Sequence, residues 1–169
     1  QVSHYLDRAR MAARVGAIGR VTPILPLVEP LTRALERIHR DKGVRIKVDC
    51  PADARFQGEK HDLEEMLGNL LDNASKWSKR GVFLSVSLPV PAKGHPKQAV
   101  ILVEDDGPGL SAEQRAKIGK RGMRLDESKP GSGLGLSIVT DLAQSYRGSV
   151  ELDASRHGGL AVRLVLPAA

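Results

Sequence analysis

Four polar side chains recur at helical spacing between residues 63 and 77. At about 100° per residue, Glu65, Asn69, Asn73 and Lys76 fall within about 80° of arc. Leu63, Met66, Leu67, Leu70, Leu71, Ala74 and Trp77 make a broad apolar face opposite them. A solvated helix face would carry much the same pattern. Two asparagines weaken that reading, because Asn is a poor helix former and Lys or Glu would serve a merely wet surface better. The chemistry these types support is specific. A carboxylate can take a proton from an attacking nucleophile. An amide oxygen suits Mg²⁺, a hard cation that keeps several of its waters. A lysine neutralises phosphate oxygens. Together they match the needs of a magnesium nucleotide.

Two glycine-rich stretches follow. The aliphatic run Val100 to Val103 leads into Glu104-Asp105-Asp106-Gly107-Pro108-Gly109-Leu110. Just past a strand, the Asp105 carboxylate can accept a hydrogen bond from an exocyclic amine. Gly107 and Gly109 would let the backbone approach a flat ring. The same residues also make an ordinary acidic turn. The second stretch, Gly131-Ser132-Gly133-Leu134-Gly135-Leu136, opens a helix. Backbone N–H groups freed by glycines at a helix start form a phosphate cradle; a plain hinge is the alternative. The spacing is not that of a dinucleotide fingerprint, and no Gly-Lys-Ser/Thr follows as in a P-loop.

In this order, the three signals resemble the GHKL ATPase superfamily and, within it, the sensor histidine kinases. Glu65 to Trp77, with its Asp72-Asn73-Ala74-x-Lys76 run, is similar to the N box of that family. Asp105 to Gly109 is similar to its G1 box and Gly131 to Gly135 to its G2 box. The resemblance covers nearly the whole chain. The Asp105 to Gly109 run and residues 34–43 and 121–126 are most similar to the PhoQ-type kinases.

The resemblance implies a Bergerat ATP-binding fold: an α/β two-layer sandwich with a mixed, mostly antiparallel sheet and helices on one face. It implies ATP and Mg²⁺ as cofactors, with Asp105 on the adenine amine and Asn69 on the metal. Asn73 and Lys76 would contact the nucleotide and its phosphates, and Glu65 would orient or deprotonate an incoming imidazole. Trp77 stands where the family more often has Tyr or Phe; it would border the adenine or pack in the core. Gly107, Gly109, Gly131, Gly133, Leu134, Gly135 and Leu136 complete the implied ATP-binding set. A lid over Gly119 to Gly133 would carry Arg121, Arg124 and Lys129 toward the phosphates or into solvent. Lys117-Ile118-Gly119 has no Phe where many members carry one, and Ser132 stands where PhoQ-type kinases often have Gln.

The implied activity is transfer of the ATP γ-phosphoryl group to a histidine of a dimerisation domain, for relay to a response regulator. Another GHKL ATPase or serine kinase, and a non-catalytic nucleotide-binding scaffold, are the competing readings. None of His4, His39, His61, His95 or His157 has the His-Glu/Asp-x-Arg/Lys-Thr/Ser-Pro setting of an acceptor, so the acceptor is expected to lie outside this sequence. The domain alone is expected to be monomeric and cytoplasmic, in a homodimeric parent of the bacterial inner membrane.

The elements that would position these residues are legible as patterns. Val2, Tyr5, Leu6, Ala9 and Ala13 recur at helical spacing, which predicts a helix over about the first 14 residues. The resemblance implies that residues 1–20 are the end of a truncated dimerisation helix and a linker. Residues 21–169 would then be the ATP-binding catalytic domain. Thr22-Pro23 predicts the start of a helix to Lys42-Gly43, its first turns made irregular by Pro26 and Pro30. Val44, Ile46 and Val48 alternate with charges as a half-buried strand does. A short strand over 54–57 and a helix from about Lys60 to Lys79 come next. Strands near 82–88 and 98–104, a helix over 111–118 and a helix over 134–146 follow. Strands over 149–154 and 159–166 close the chain.

The chain has 169 residues, enough for one well-packed domain. Aromatics are only 3%, so Leu, Val, Ile and Ala must build the core. No run approaches the roughly 20 apolar residues that span a bilayer. The lone Cys50 cannot form an internal disulfide, which fits a reducing compartment. A net charge of +6 favours a polyanionic partner. A nucleotide triphosphate fits this better than nucleic acid, because few aromatics could stack on bases and no helix-turn-helix or zinc pattern is visible. No nucleic-acid partner is therefore expected.

Overall fold

The computed structural model describes residues 19–121 and 134–169. These residues form β1 (Thr22–Pro23), α1 (Ile24–Ile38), a 3-10 turn (Arg40–Lys42), β2 (Arg45–Asp49), β3 (Arg55–Phe56) and α2 (Lys60–Trp77). There follow β4 (Gly81–Ser87), β5 (Gln98–Asp105), α3 (Ala112–Arg121), α4 (Leu134–Ser145), β6 (Ser149–Ala154) and β7 (Leu160–Pro167). Five strands make one sheet in the order β2-β4-β5-β7-β6, with β2 parallel to β4 and every other pair antiparallel. The sheet is thus mixed and mostly antiparallel, as expected. The parallel pair needs a crossover, and β3 with α2 supplies it.

Alternation along each strand decides which face is covered. Val82, Leu84 and Val86 of β4 are buried, as are Ala99, Ile101 and Val103 of β5 and Val162, Leu164 and Leu166 of β7. On that face lies α2, packed between sheet and neighbouring helices, with Leu63, Met66, Leu67 and Leu71 fully buried. Each such side chain contributes roughly 1.5 to 3 kcal/mol by burial. Both α1 and α4 pack on α2, giving two layers. The core is aliphatic but for Phe56, fully buried with the Tyr146 ring edge-on at 4.9 Å.

Helix α3 runs to Arg121, three residues past the expected end at 118 and into the start of the expected lid. Three other element ends differ from the sequence reading by two residues or more, each for a local reason. Thr22 and Pro23 are a two-residue strand paired with Phe56 and Arg55, not a helical turn. The Thr22 hydroxyl donates to the Gly58 carbonyl at 2.9 Å, which holds this segment extended. The helix then starts at Ile24 and runs through Pro26 and Pro30. Pro26 removes an N–H that has no intrahelical partner in the first turn. At the other end α1 stops at Ile38, and a separate 3-10 turn closes on Gly43 at φ 75°.

The third difference bears on the site. Helix α2 ends at Trp77, two residues before Lys79. The Asp106 carboxylate accepts the N–H groups of Lys79 (2.7 Å), Arg80 (3.2 Å) and Gly81 (3.0 Å), which bends the chain out of the helix and into β4. The Lys42 ammonium donates to the carbonyls of Ser75 and Lys76, filling acceptors that a helix end leaves open. Slight burial works against the charge of Asp106, but the backbone donors at Gly81, Lys79 and Arg80 outweigh it and hold the carboxyl below its usual range. A carboxylate depressed in this way stabilises the fold above its unfolded pKa, and the contribution is lost as pH falls through the folded value. The Asp106→Ala variant is therefore expected to lose about 1 kcal/mol at pH 7, a modest figure because the group is largely solvated. Urea titrations should show the deficit shrinking in acid; a deficit independent of pH would contradict this role.

Candidate functional site

A cleft opens between α2 and the end of the sheet where β5 and β7 meet. Its floor is Val103, Leu160 and Val162, and one wall is Leu70, Asn73, Ala74 and Trp77 of α2. Pro108, Gly109, Leu110, Ile118 and Leu136 form the rim, and Asp105 stands among the apolar floor residues. A slot that is mostly apolar with a few placed polar groups is what a flat heterocycle requires.

Asp105 is the last residue of β5 and only 3% exposed. Its Oδ1 accepts the N–H groups of Gly107 at 2.8 Å and Leu160 at 3.4 Å. Burial pushes its carboxyl pKa up, and Asp106 adds to this, while those two backbone donors and the Lys42 charge oppose it. The net direction is upward. Both hydrogen bonds go to one oxygen, so the carboxylate has a second oxygen to offer a donor in the cleft. Gly107 is required by close approach: a Cβ there would overlap the Trp77 carbonyl at the end of α2.

The polar stripe of α2 is half-buried rather than solvated. Asn69 donates from Nδ2 to the Glu65 carbonyl at 2.7 Å. Its Oδ1 lies 2.9 Å from where a Cβ on Gly135 would stand, so the first turn of α4 sits directly on this amide. Lys76 pairs with Asp72 at 3.1 Å, and the other Asp72 oxygen meets Nε2 of His39 at 2.9 Å. Glu65 is displaced from the cleft: it lies two helical turns from Asn73, roughly 12 Å along the axis. With His61, at 3.9 Å, and with Leu27, Pro30, Leu31 and Glu64, it lines a separate depression between α1 and α2.

The fold thus brings Asn73, Trp77, Asp105, Gly109 and Leu136 to one cleft. It sets Gly107 beneath Trp77 and places Asn69 and Gly135 in contact beside them. Arg124, Lys129, Gly131 and Gly133 lie outside the described residues, as do the side chains of Arg121 and Leu134. The floor residues Val103, Leu160 and Val162, and Ile118 at the rim, are not singled out by sequence motifs. Gly158-Gly159, just before the alternation of β7, is the only local sign that a close approach happens there. Among the described residues, no group of three His, Cys, Asp or Glu could hold a metal, and no helix is long and apolar enough to cross a membrane.

The family profile described as histidine kinase-, DNA gyrase B-, and HSP90-like ATPase matches residues 58–169, which include α2, Asp105 and α4. The chain belongs to this ATPase family. Within it, the sensor protein PhoQ of Escherichia coli (strain K12) is 34% identical over 165 residues, 98% of this chain and 33% of that protein. The two-component sensor PhoQ of Pseudomonas aeruginosa is 38% identical over 164 residues, 97% of this chain and 35% of that protein. The chain spans about a third of the length of these curated relatives. The solved structure of a mycobacterial sensor histidine kinase, MprB, superposes with a TM-score of 0.70 at 26% identity, covering 88% of this chain and 98% of that one. The expected two-layer ATPase fold is therefore the one observed.

Proposed function

We propose that this chain is the ATP-binding catalytic domain of a two-component sensor histidine kinase. One observation carries the proposal: a buried carboxylate, Asp105, at the base of an apolar slot walled by Asn73 and Trp77. Adenine has the flat apolar faces the slot would take and an exocyclic amine for a carboxylate to bind. From there the cleft leads to Leu136 and Gly135 in the first turn of α4, where helix N–H groups favour the phosphates. Leu134, Gly131 and Gly133 would extend this cradle, and Arg121, Arg124 and Lys129 would add positive charge over it. Lys76, paired with Asp72, is a further cation on the polar stripe of α2.

The residues present fit a magnesium ion of this kind. Asn69 offers an amide oxygen beside the start of α4, and Mg²⁺ commonly takes one or two protein ligands with the rest supplied by phosphates and water. When bound it would neutralise phosphate charge. The chain's own residues do the remainder. They bind the base, align the triphosphate, and present Glu65 in its depression to orient an incoming imidazole or accept its proton. In the transfer a nitrogen–phosphorus bond to the histidine forms, the bond from the γ-phosphorus to its bridging oxygen breaks, and ADP leaves. Positioning and charge stabilisation supply most of the rate gain in such transfers.

The parent protein in this reading is a homodimer in the bacterial inner membrane, with this domain on the cytoplasmic side. Residues 1–18 lie outside the described residues; in this reading residues 1–20 belong to the dimerisation helix and linker, and residues 21–169 are a monomeric catalytic domain that reaches a response regulator only through the phosphohistidine. Mixing the chain with radiolabelled ATP, Mg²⁺ and a separately supplied dimerisation domain tests the proposal. Acid-labile label on the added histidine is expected, with little turnover by the chain alone. Acid-stable label on serine would point to a serine kinase, and ATP binding without transfer to a scaffold.

A further inference from the structure

We propose that Glu104 is a positioning residue for the base-binding end of the cleft, acting from the opposite face of the sheet through the turn that joins β6 to β7. The inference rests on the nucleotide site assigned above. Glu104 and Asp105 are neighbours on β5, so their side chains point to opposite faces. Asp105 enters the cleft, whereas Glu104 lies across from Phe83 and Ala161 on the face without helices. Its side chain is nonetheless almost wholly buried, at 4% exposure. Burying a carboxylate is unfavourable unless its hydrogen bonds are made.

Those bonds go to one short turn. The Ser155 hydroxyl donates to Glu104 at 2.8 Å, and the Arg156 guanidinium lies 3.5 Å from the other oxygen. The His157 N–H donates to the same Ser155 hydroxyl at 3.0 Å. The His157 ring stacks on Phe83 with centroids 3.6 Å apart and planes 11° from parallel. The turn closes on itself, Ser155 N–H to the Gly159 carbonyl at 2.8 Å and Gly158 N–H to the Ser155 carbonyl at 3.1 Å.

The far end of the same turn reaches Asp105. Gly159 donates its N–H to the Asp105 carbonyl at 3.1 Å, and Leu160 donates to the carboxylate. A Cβ on Gly159 would overlap Oδ1 of Asp105, so the carboxylate leans directly on this backbone. Leu160 then continues into the cleft floor. Glu104 fixes where the turn starts, and the turn fixes the wall and the donor that set the Asp105 carboxylate. A shift of the turn alters the base-binding group without touching Asn69, Lys76 or α4.

The test uses the whole chain, with ADP affinity read by Trp77 fluorescence and inorganic tripolyphosphate measured by its competition with ADP. Ser155→Ala and Glu104→Leu are expected to weaken ADP by about three- to tenfold, the effect of one lost hydrogen bond, and to leave tripolyphosphate unchanged. Glu104→Gln, which keeps an acceptor for Ser155, is expected to restore ADP affinity to near that of the parent chain. Unchanged ADP affinity in both disruptive variants would overturn the inference. So would equal weakening of tripolyphosphate, which marks general loosening of the fold. If the parent chain failed to bind ADP, or the Asp105→Asn variant bound it equally well, the base-binding assignment itself would fall. That outcome is distinct from a parent chain that binds through Asp105 yet ignores Glu104.

Discussion

Replacing Asp105 by Asn is expected to lower ADP affinity by about 10- to 100-fold, the range for losing a hydrogen bond to a charged group. The same change is expected to leave the unliganded fold at least as stable at pH 7. The affinity loss follows from donor and acceptor bookkeeping. Asn keeps one oxygen, which the N–H groups of Gly107 and Leu160 already occupy. What it turns to the cleft is an NH₂ group, and this meets the purine amine donor to donor. The stability gain follows from the raised pKa of Asp105, caused first by burial and opposed by the backbone donors of Gly107 and Leu160. A carboxyl whose folded pKa is raised stabilises the fold while protonated. That contribution is present below its unfolded pKa and is lost as pH rises through the folded value. At pH 7 the ionised group therefore opposes folding, and Asn does not. Thermal melts of both proteins should differ in favour of Asn at neutral pH and converge in acid. A variant that binds ADP as the parent does, or melts lower at pH 7, contradicts the account.

Gly107→Ala is the second large effect, and here affinity and stability fall together. The added methyl would overlap the Trp77 carbonyl and crowd Oδ1 of Asp105. Relief requires the end of α2 to move away from β5, and that end carries Asn73, Lys76 and Trp77. It is also pinned by Lys42 and by the Asp106 cap on the next residues, so it has little room to yield. Overpacking of this kind costs roughly 1 to 3 kcal/mol, which for a domain of this size is roughly 2 to 12 °C in Tm. ADP binding should be largely lost. Calorimetric titration and a melt on the same sample check both; retained affinity with an unchanged melt would show that Trp77 and Gly107 do not meet as described.

The parts of the site carried by local pattern were legible in the sequence. Helical period alone places Asn69, Asn73 and Lys76 opposite Leu67, Leu70 and Leu71. A strand running into Asp-x-Gly-x-Gly places Asp105 at a sheet end. The parts set by distant partners were not. Nothing near Lys76 announces that Asp72 also binds His39, 33 residues upstream. The stop of α2 at Trp77 depends on a carboxylate at Asp106, in the turn that follows the neighbouring strand β5. Thr22-Pro23 has the composition of a helix start, yet the Gly58 carbonyl and β3 make it a strand. No motif marks Leu160 and Val162 as the floor, because pocket wall and core have the same apolar composition. No motif singles out Glu104, and only the β6–β7 turn explains its burial.

The central claim is that a purine sits in the slot between α2 and β5 with its amine on Asp105. A crystal structure of the chain with a nonhydrolysable ATP analogue and Mg²⁺ tests this most directly. The account predicts the exocyclic nitrogen about 3 Å from the Asp105 carboxylate, the ring beside Trp77, and the phosphates at the start of α4. Nucleotide seated elsewhere on the chain, or a slot left empty at saturating analogue, would contradict it.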